Sequence, residues 1–247
     1  MYLCFDVGNT TIEIALCQNK EIIKKTKLDT NTKESKKYYG DFFQSFTNSL
    51  LIEGVIISSV VPSIDKLLQE VLTEVYNIRP IVVNNNLKHD INIRIQNPSE
   101  LGSDLLISSI GAKTKYDGNI LIVDLGTANK FLVLRGNDFL GGAIAPGLKS
   151  SLNSLFSDAE KLSLVPIETP NKVIGDSTIS CIQSGIVYGT VSMIEGMYKK
   201  MEQEVGCLKV LVTGGNAPFI IDCLSIEFEY CPDLLIEGLI ELYANNK

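Results

Sequence analysis

The chain has 247 residues, 45% of them hydrophobic, enough for two domains of about 100–130 residues each with buried cores. A net charge of −7 and a pI near 4.9 argue against a nucleic-acid binder, which carries a basic face. No apolar run approaches the ~20 residues of a membrane helix, and the first residues enter a strand rather than a signal peptide, so a cytoplasmic protein is expected.

Met1–Val7 reads as a buried strand, and Thr11–Cys17, with Ile12, Ile14 and Leu16 on one face, as its antiparallel partner. Glu21–Leu28 is a third strand, and Lys33–Leu50 a helix with a lysine-rich start. Gly54–Val61 is β-branched and apolar, a central strand. Pro62-Ser63 then opens a helix in which Leu67, Leu68, Val71, Leu72 and Val75 recur at helical spacing. Ile81–Val83 is a short strand, and the asparagine-rich 84–97 segment a loop and the seam between halves. The second half repeats the outline. A helix is expected over Leu101–Lys115, with strands at Asn119–Leu125, Lys130–Leu134 and Phe139–Ile144. Pro146-Gly147 breaks the chain before another helix, and Val165–Gly175 is loop-like. Ser177–Glu204 carries a long amphipathic pattern with Gly185, Gly189 and Gly196 on it, small residues that allow another helix to approach closely. Leu208–Thr213 is a strand ending in Gly214-Gly215, followed by a strand at Ile226–Tyr230 and a helix after Pro232.

Two turns carry the chemistry. Leu3–Thr10 and Leu121–Thr127 are each an apolar strand running into Asp-x-Gly and hydroxyl or amide residues. The glycine lets the backbone turn sharply and approach an anion. The aspartate repels phosphate, so it orients Mg2+ or its waters. One such turn in each half suggests two related halves closing on one nucleotide. Strand triplets followed by helix and strand, done twice, describe an α/β fold of two ribonuclease-H-like (actin-like ATPase) domains, residues 1–97 and 98–247, with mixed central sheets flanked by helices. There is no G-x-x-x-x-G-K-[ST] and no G-x-G-x-x-G, so neither a P-loop nor a dinucleotide fold has support. The six cysteines form no C-x-x-C pair and read as reduced thiols, Cys4 and Cys17 in apolar strands. His89 is the only histidine and is expected in a surface loop, which removes a His-based triad or metal site.

Five blocks in order, Asp6-Val7-Gly8-Asn9-Thr10, Asn97-Pro98-Ser99-Glu100-Leu101-Gly102-Ser103-Asp104, Asp124-Leu125-Gly126-Thr127-Ala128, Gly141-Gly142-Ala143-Ile144-Ala145-Pro146-Gly147 and Ser184-Gly185-Ile186-Val187-Tyr188-Gly189, resemble type III pantothenate kinase. The resemblance runs from residue 1 to the Thr213-Gly214-Gly215 turn. It implies the actin, hexokinase and chaperone ATPase fold and ATP-dependent phosphorylation of pantothenate, the first step of coenzyme A synthesis. It also implies a homodimer, Mg2+ and a monovalent cation (K+ or NH4+), with no nucleic-acid or membrane partner. By position, Asp6, Val7, Gly8, Asn9, Thr10, Thr11, Ile12 and Glu13 form the first phosphate loop, with Asp6 meeting Mg2+ through water. Thr127 contacts ATP and Asp124 sits at the monovalent-cation site. Asp104 is the general base. Gly102, Ser103, Asp104, Leu105, Ile95 and Thr178 line the acceptor.

The sequence departs from the family at three places. The family's G-A-D-R reads Gly102-Ser103-Asp104-Leu105, which replaces an arginine that meets the anionic substrate. The family's tyrosine nine residues before the base is Ile95. The family's G-T-A-T-T reads Gly126-Thr127-Ala128-Asn129-Lys130, and Lys130 either faces the phosphates or points to solvent. Arg94 either replaces the lost clamp or alternates away from it, and Gly214-Gly215 either touches adenine or ends a strand. From the residues alone, Asp104 or Ser99 is also readable as a helix cap and Asp6 as a hairpin former. Three functions stay open: a pantothenate kinase, a kinase of the same fold for another small hydroxyl compound, and a non-catalytic regulatory or accessory relative.

Overall fold

The computed structural model describes residues 1–31, 33–48, 50–157 and 165–247. The chain forms two compact units, one of Met1–Lys115 with Leu234–Lys247, the other of Tyr116–Asp233. This division differs from the seam expected at 97/98. The helix that follows residue 102 and the C-terminal helix pack on each other and on the first sheet, so both belong to the first unit.

The first unit begins with the antiparallel strands β1 (Tyr2–Val7), β2 (Thr11–Gln18) and β3 (Glu21–Asp29). Helix α1 (Lys36–Thr47) follows, then β4 (Gly54–Ser59), α2 (Pro62–Tyr76), and the short strands β5 (Ile81–Val82) and β6 (Asn92–Ile93). Helix α3 (Ser103–Lys115) and the C-terminal α6 (Leu234–Asn246) complete it. The sheet order is β3-β2-β1-β4-β5, with β4 parallel to β1 and to β5. One face packs Leu3, Phe5, Val7, Ile12, Ile14, Val55 and Ile57 under Tyr39 and Phe43 of α1 and Ile64, Leu68 and Leu72 of α2. Helices α3 and α6 contact β4, and α6 also contacts β1. Helix α1 is shorter than the expected 33–50 run. Ser35 caps its start by accepting from the Tyr38 N–H, and Asn48, in the left-handed region, closes it. Ser49 lies outside the described residues.

The second unit repeats the pattern with β7 (Asn119–Leu125), β8 (Ala128–Arg135), β9 (Asp138–Pro146), α4 (Leu148–Ser157), α5 (Thr178–Val205), β10 (Lys209–Thr213) and β11 (Glu229–Tyr230). Within it the strands lie in the order β9-β8-β7-β10-β11, the same order as β3-β2-β1-β4-β5, with β10 parallel to β7 as β4 is to β1. Leu121, Val123, Leu125, Phe131 and Val133 pack against Leu148 and Leu152 of α4 and Ile186, Val187, Val191 and Ile194 of α5. Strand β11 keeps only the last two residues of the expected 226–230 run, because only Glu229 and Tyr230 pair with β10. The two-domain α/β fold with mixed sheets is therefore present in both halves. Among the described residues no helix is long and apolar enough to cross a membrane.

Candidate active site

In the first unit β1 delivers Asp6 to the end of the sheet, directly opposite Glu13 on β2. Gly8 N–H donates to the Thr11 carbonyl at 2.9 Å and closes the turn. Thr30, just past β3, ties two carbonyls down: its hydroxyl donates to Gly8 O at 2.6 Å and its N–H to Thr10 O at 2.9 Å. A trans peptide sets C=O and the next N–H in opposite directions, so pinning Gly8 O turns the Asn9 N–H away from the sheet. That orientation suits an anion.

The turn between β7 and β8 uses the same device. Gly126 O accepts from the Asn216 side-chain amide at 2.8 Å. Thr127 O accepts from Gly147 N–H at 3.1 Å and from Ser150 Oγ at 3.0 Å. Both carbonyls are held, and the Thr127 and Ala128 N–H groups are directed away from those bonds. Gly147 is required by proximity, since a Cβ there would lie 2.3 Å from Gly126 O and 2.6 Å from Thr127 O. Gly214 (φ +96°) is required for the same reason, since a Cβ would meet the Leu125 backbone at 2.5 Å and Asp124 Oδ1 at 2.6 Å. Gly214 thus seats the end of β10 against this turn.

Asp104 lies in the first turn of α3. Its Oδ1 accepts from the Leu105 N–H at 2.9 Å. A Cβ on Gly102 would come within 2.7 Å of that oxygen, so the glycine makes room for the carboxylate. Ser103 anchors the helix start to β4 by accepting from Ser58 Oγ at 2.9 Å and donating to Ser59 O at 3.0 Å. Ser58 is fully buried and pairs in register with Asp6. Asp6, Ser58 and Ser103 are thus linked in turn near the C-terminal ends of β1 and β4, with Asp104 next to Ser103. Sequence reading missed Ser103 and Asn216 as supports. Ser103 is expected there to line the acceptor, not to tie the helix to β4. Ser99, the other cap considered, donates to Asn97 Oδ1.

Asp124 is almost buried, and its Oδ2 accepts from Lys130 Nζ at 2.7 Å. The lysine therefore turns onto the aspartate rather than out to solvent. The neighbouring Asn129 is buried and donates to Pro146 O at 3.1 Å. Thr213, beside Asp124 in register, is buried and its hydroxyl makes no hydrogen bond. Of the acceptor-side residues, Leu105 and Ile95 are half-buried and Arg94 is exposed, the alternation pointing it away from Ile95. Thr178 is exposed at the first position of α5, next to the capping Ser177. His89 is a half-buried loop residue that accepts from the Ile91 N–H.

Two ions test differently against these residues. Asp6 and Glu13 are carboxylates directly opposite on one hairpin, and Lys27 Nζ of β3 stands 3.0 Å from Glu13 Oε2. Glu13 Oε1 is buried and makes no hydrogen bond. The Asp6 carboxylate supplies the hard oxygens that suit Mg2+, whereas Glu13 already has an ammonium partner. For a monovalent cation at Asp124 the residues do not fit, because an ammonium group already holds the carboxylate.

The sequence model of the type III pantothenate kinase family matches residues 2–200. A type III pantothenate kinase of Acholeplasma laidlawii (strain PG-8A) is 36% identical over 247 residues, covering 100% of this chain and 99% of the relative. Another, from Exiguobacterium sp. (strain ATCC BAA-1283 / AT1b), is 34% identical and covers all of both chains. Among solved structures, the inorganic polyphosphate/ATP-glucomannokinase of Arthrobacter sp. strain KM is similar with a TM-score of 0.52 at 13% identity, over 98% of each chain. That similarity concerns the fold.

Proposed function

We infer the function from the family: the chain belongs to the type III pantothenate kinases, and it phosphorylates pantothenate with ATP to 4'-phosphopantothenate, the first step of coenzyme A synthesis. The observation that carries the site assignment is the succession Asp6, Ser58 and Ser103 near the C-terminal ends of β1 and β4, with Asp104 next to Ser103. It sets a metal-orienting carboxylate and a second carboxylate on neighbouring, hydrogen-bonded supports.

Phosphoryl transfer needs positioning and charge neutralisation more than covalent help. The turn amides near Asn9 suit phosphate oxygens, and those near Thr127 offer the same chemistry within the second unit. Asp6 would hold Mg2+ through water, and the ion would supply neutralisation of phosphate charge. The acceptor hydroxyl oxygen bonds to the γ-phosphorus as the bond from that phosphorus to the bridging oxygen breaks. The hydroxyl proton passes to Asp104, and ADP leaves. Leu105 and Ile95 make the acceptor side of the first unit more apolar than the family pattern. The charge that the resemblance assigns to a monovalent cation is supplied by Lys130.

A homodimer through α5 fits the same reading. Among the described residues, nothing lies within 4 Å of a Cβ on Gly185, Gly189 or Gly196. Three glycines inside one helix cost about 0.5–1 kcal/mol each relative to alanine, which a close-packed partner helix offsets. Sedimentation should give twice the chain mass, and Gly189→Arg, placed where a Cβ has nothing within 4 Å among the described residues, should reduce it to one. The six free cysteines fit a reducing cytoplasm. The direct test of function is ADP release by purified protein with ATP, Mg2+ and pantothenate, with the product identified by mass. No turnover on pantothenate would reject the reading.

A further inference from the structure

We propose that Lys130 is a built-in cation for Asp124, so that this chain binds ATP without a monovalent metal or ammonium ion. The proposal rests on the kinase reading above. Asp124 and Lys130 are directly opposite on the antiparallel strands β7 and β8, so both side chains stand on one face of the sheet. The Nζ–Oδ2 distance is 2.7 Å, and the side chains are only 19% and 10% exposed for Lys130 and Asp124. Such a pair is weakly screened by solvent. The strand also fixes the lysine at its base, since Asn129 and Phe131 on either side are buried.

The second carboxylate oxygen offers little room. The Gly214 backbone approaches Asp124 Oδ1 so closely that a Cβ would lie 2.6 Å away. A K+ ion seated on Asp124 Oδ1 and the unbonded Thr213 hydroxyl would stand beside the Lys130 ammonium. Like charges would then oppose the ion where the carboxylate, already neutralised, no longer attracts it. A tethered ammonium has the opposite advantage of a high effective concentration that dilution does not lower.

The other hairpin provides a comparison within the molecule. The position opposite Asp6 is Glu13, where the position opposite Asp124 is Lys130. Two hairpins of one fold therefore differ in charge. The first sets two carboxylates opposite each other, and the lysine that meets Glu13, Lys27 at 3.0 Å, comes from β3 rather than from the facing position. The second neutralises itself.

The test is calorimetric titration of the full chain with ATP and Mg2+, in choline chloride and then in KCl or NH4Cl of equal ionic strength. The wild-type dissociation constant should agree within about twofold across the buffers. Lys130→Thr, which restores the family's residue type, should bind ATP about tenfold more weakly in choline and recover in KCl. Its melting temperature should rise with KCl and not with choline, while that of the wild type should not respond. Lys130→Arg should keep the indifference to cation. Should Lys130→Thr fail to fold, the wild type and Lys130→Arg still decide. Wild-type binding about tenfold tighter in KCl than in choline overturns the proposal alone. Absence of ATP binding in every buffer overturns the kinase reading with it, so the two failures are distinct.

Discussion

One oxygen of Asp104 accepts the Leu105 N–H, and asparagine can accept that bond equally well. Asp104→Asn should therefore leave the melting temperature unchanged while kcat falls by roughly 10²–10⁴, the usual contribution of a general base. Turnover within about tenfold of wild type would remove Asp104 from the chemistry. Its neighbour supports a gain rather than a loss. Leu105 is half-buried at the same helix start, so an arginine has an outlet without overpacking a core. Leu105→Arg restores a charge-assisted contact of about 1.5–3 kcal/mol to an anionic acceptor, and KM for pantothenate should drop by about one to two powers of ten. An unchanged KM would mean that residue 105 does not face the substrate carboxylate. The three aspartates were legible from the sequence because each sits in a short pattern of fixed spacing. The supporting contacts of Ser103 and Asn216 were not, because their partners are far along the chain: Ser58 and Ser59 for one, Gly126 for the other. Local patterns carry no information about such contacts.

At the level of elements, apolar alternation and helical spacing located nearly every strand and helix, since both periods are written in consecutive residues. Element ends were less legible. Strand β6 lies inside the segment expected as a loop, and β8 begins at Ala128, two residues before the expected start. Crossings between elements were not legible at all. Where α3 meets α6, a Cβ on Gly238 would lie 1.8 Å from Ile107 O, and one on Gly111 would lie 2.2 Å from Leu234 O. Neither glycine belongs to a turn signal, so their reason appears only once the helices are packed. Helix propensity alone favours Gly238→Ala by about 1 kcal/mol. The clash forces the two helices apart and costs roughly 1–3 kcal/mol or more, so it should win. Urea unfolding should show Gly238→Ala net destabilised, with kcat lowered as well because α3 carries Asp104. A variant more stable than wild type would mean that the crossing is looser than described.

For the molecule as a whole, the duplication was legible and the seam was not. The repeated order of strand triplet, helix and parallel strand appears in the sequence as two Asp-x-Gly turns with similar surroundings. The return of the last helix to the first unit leaves no local mark, because chain order and spatial order part company there. That return makes the C-terminus a structural part of the unit that holds Asp6 and Asp104. Leu234, Ile236, Leu239, Ile240, Leu242 and Tyr243 of α6 are all buried. Tyr243 stacks on Tyr2 with ring centroids 4.3 Å apart, and its side chain fills the space above Gly54, where a Cβ would overlap it. Burial of five aliphatic side chains contributes about 1.5–3 kcal/mol each, or roughly 8–15 kcal/mol before the ring is added. A whole domain is stable by only about 5–15 kcal/mol. Truncation after Asp233 should therefore abolish cooperative folding of the first unit, although every residue assigned to the active site remains. The check is a thermal melt followed by circular dichroism together with ATP binding. A soluble truncated chain with a sharp transition and intact affinity would show that α6 is dispensable, and the first unit would then end at Lys115.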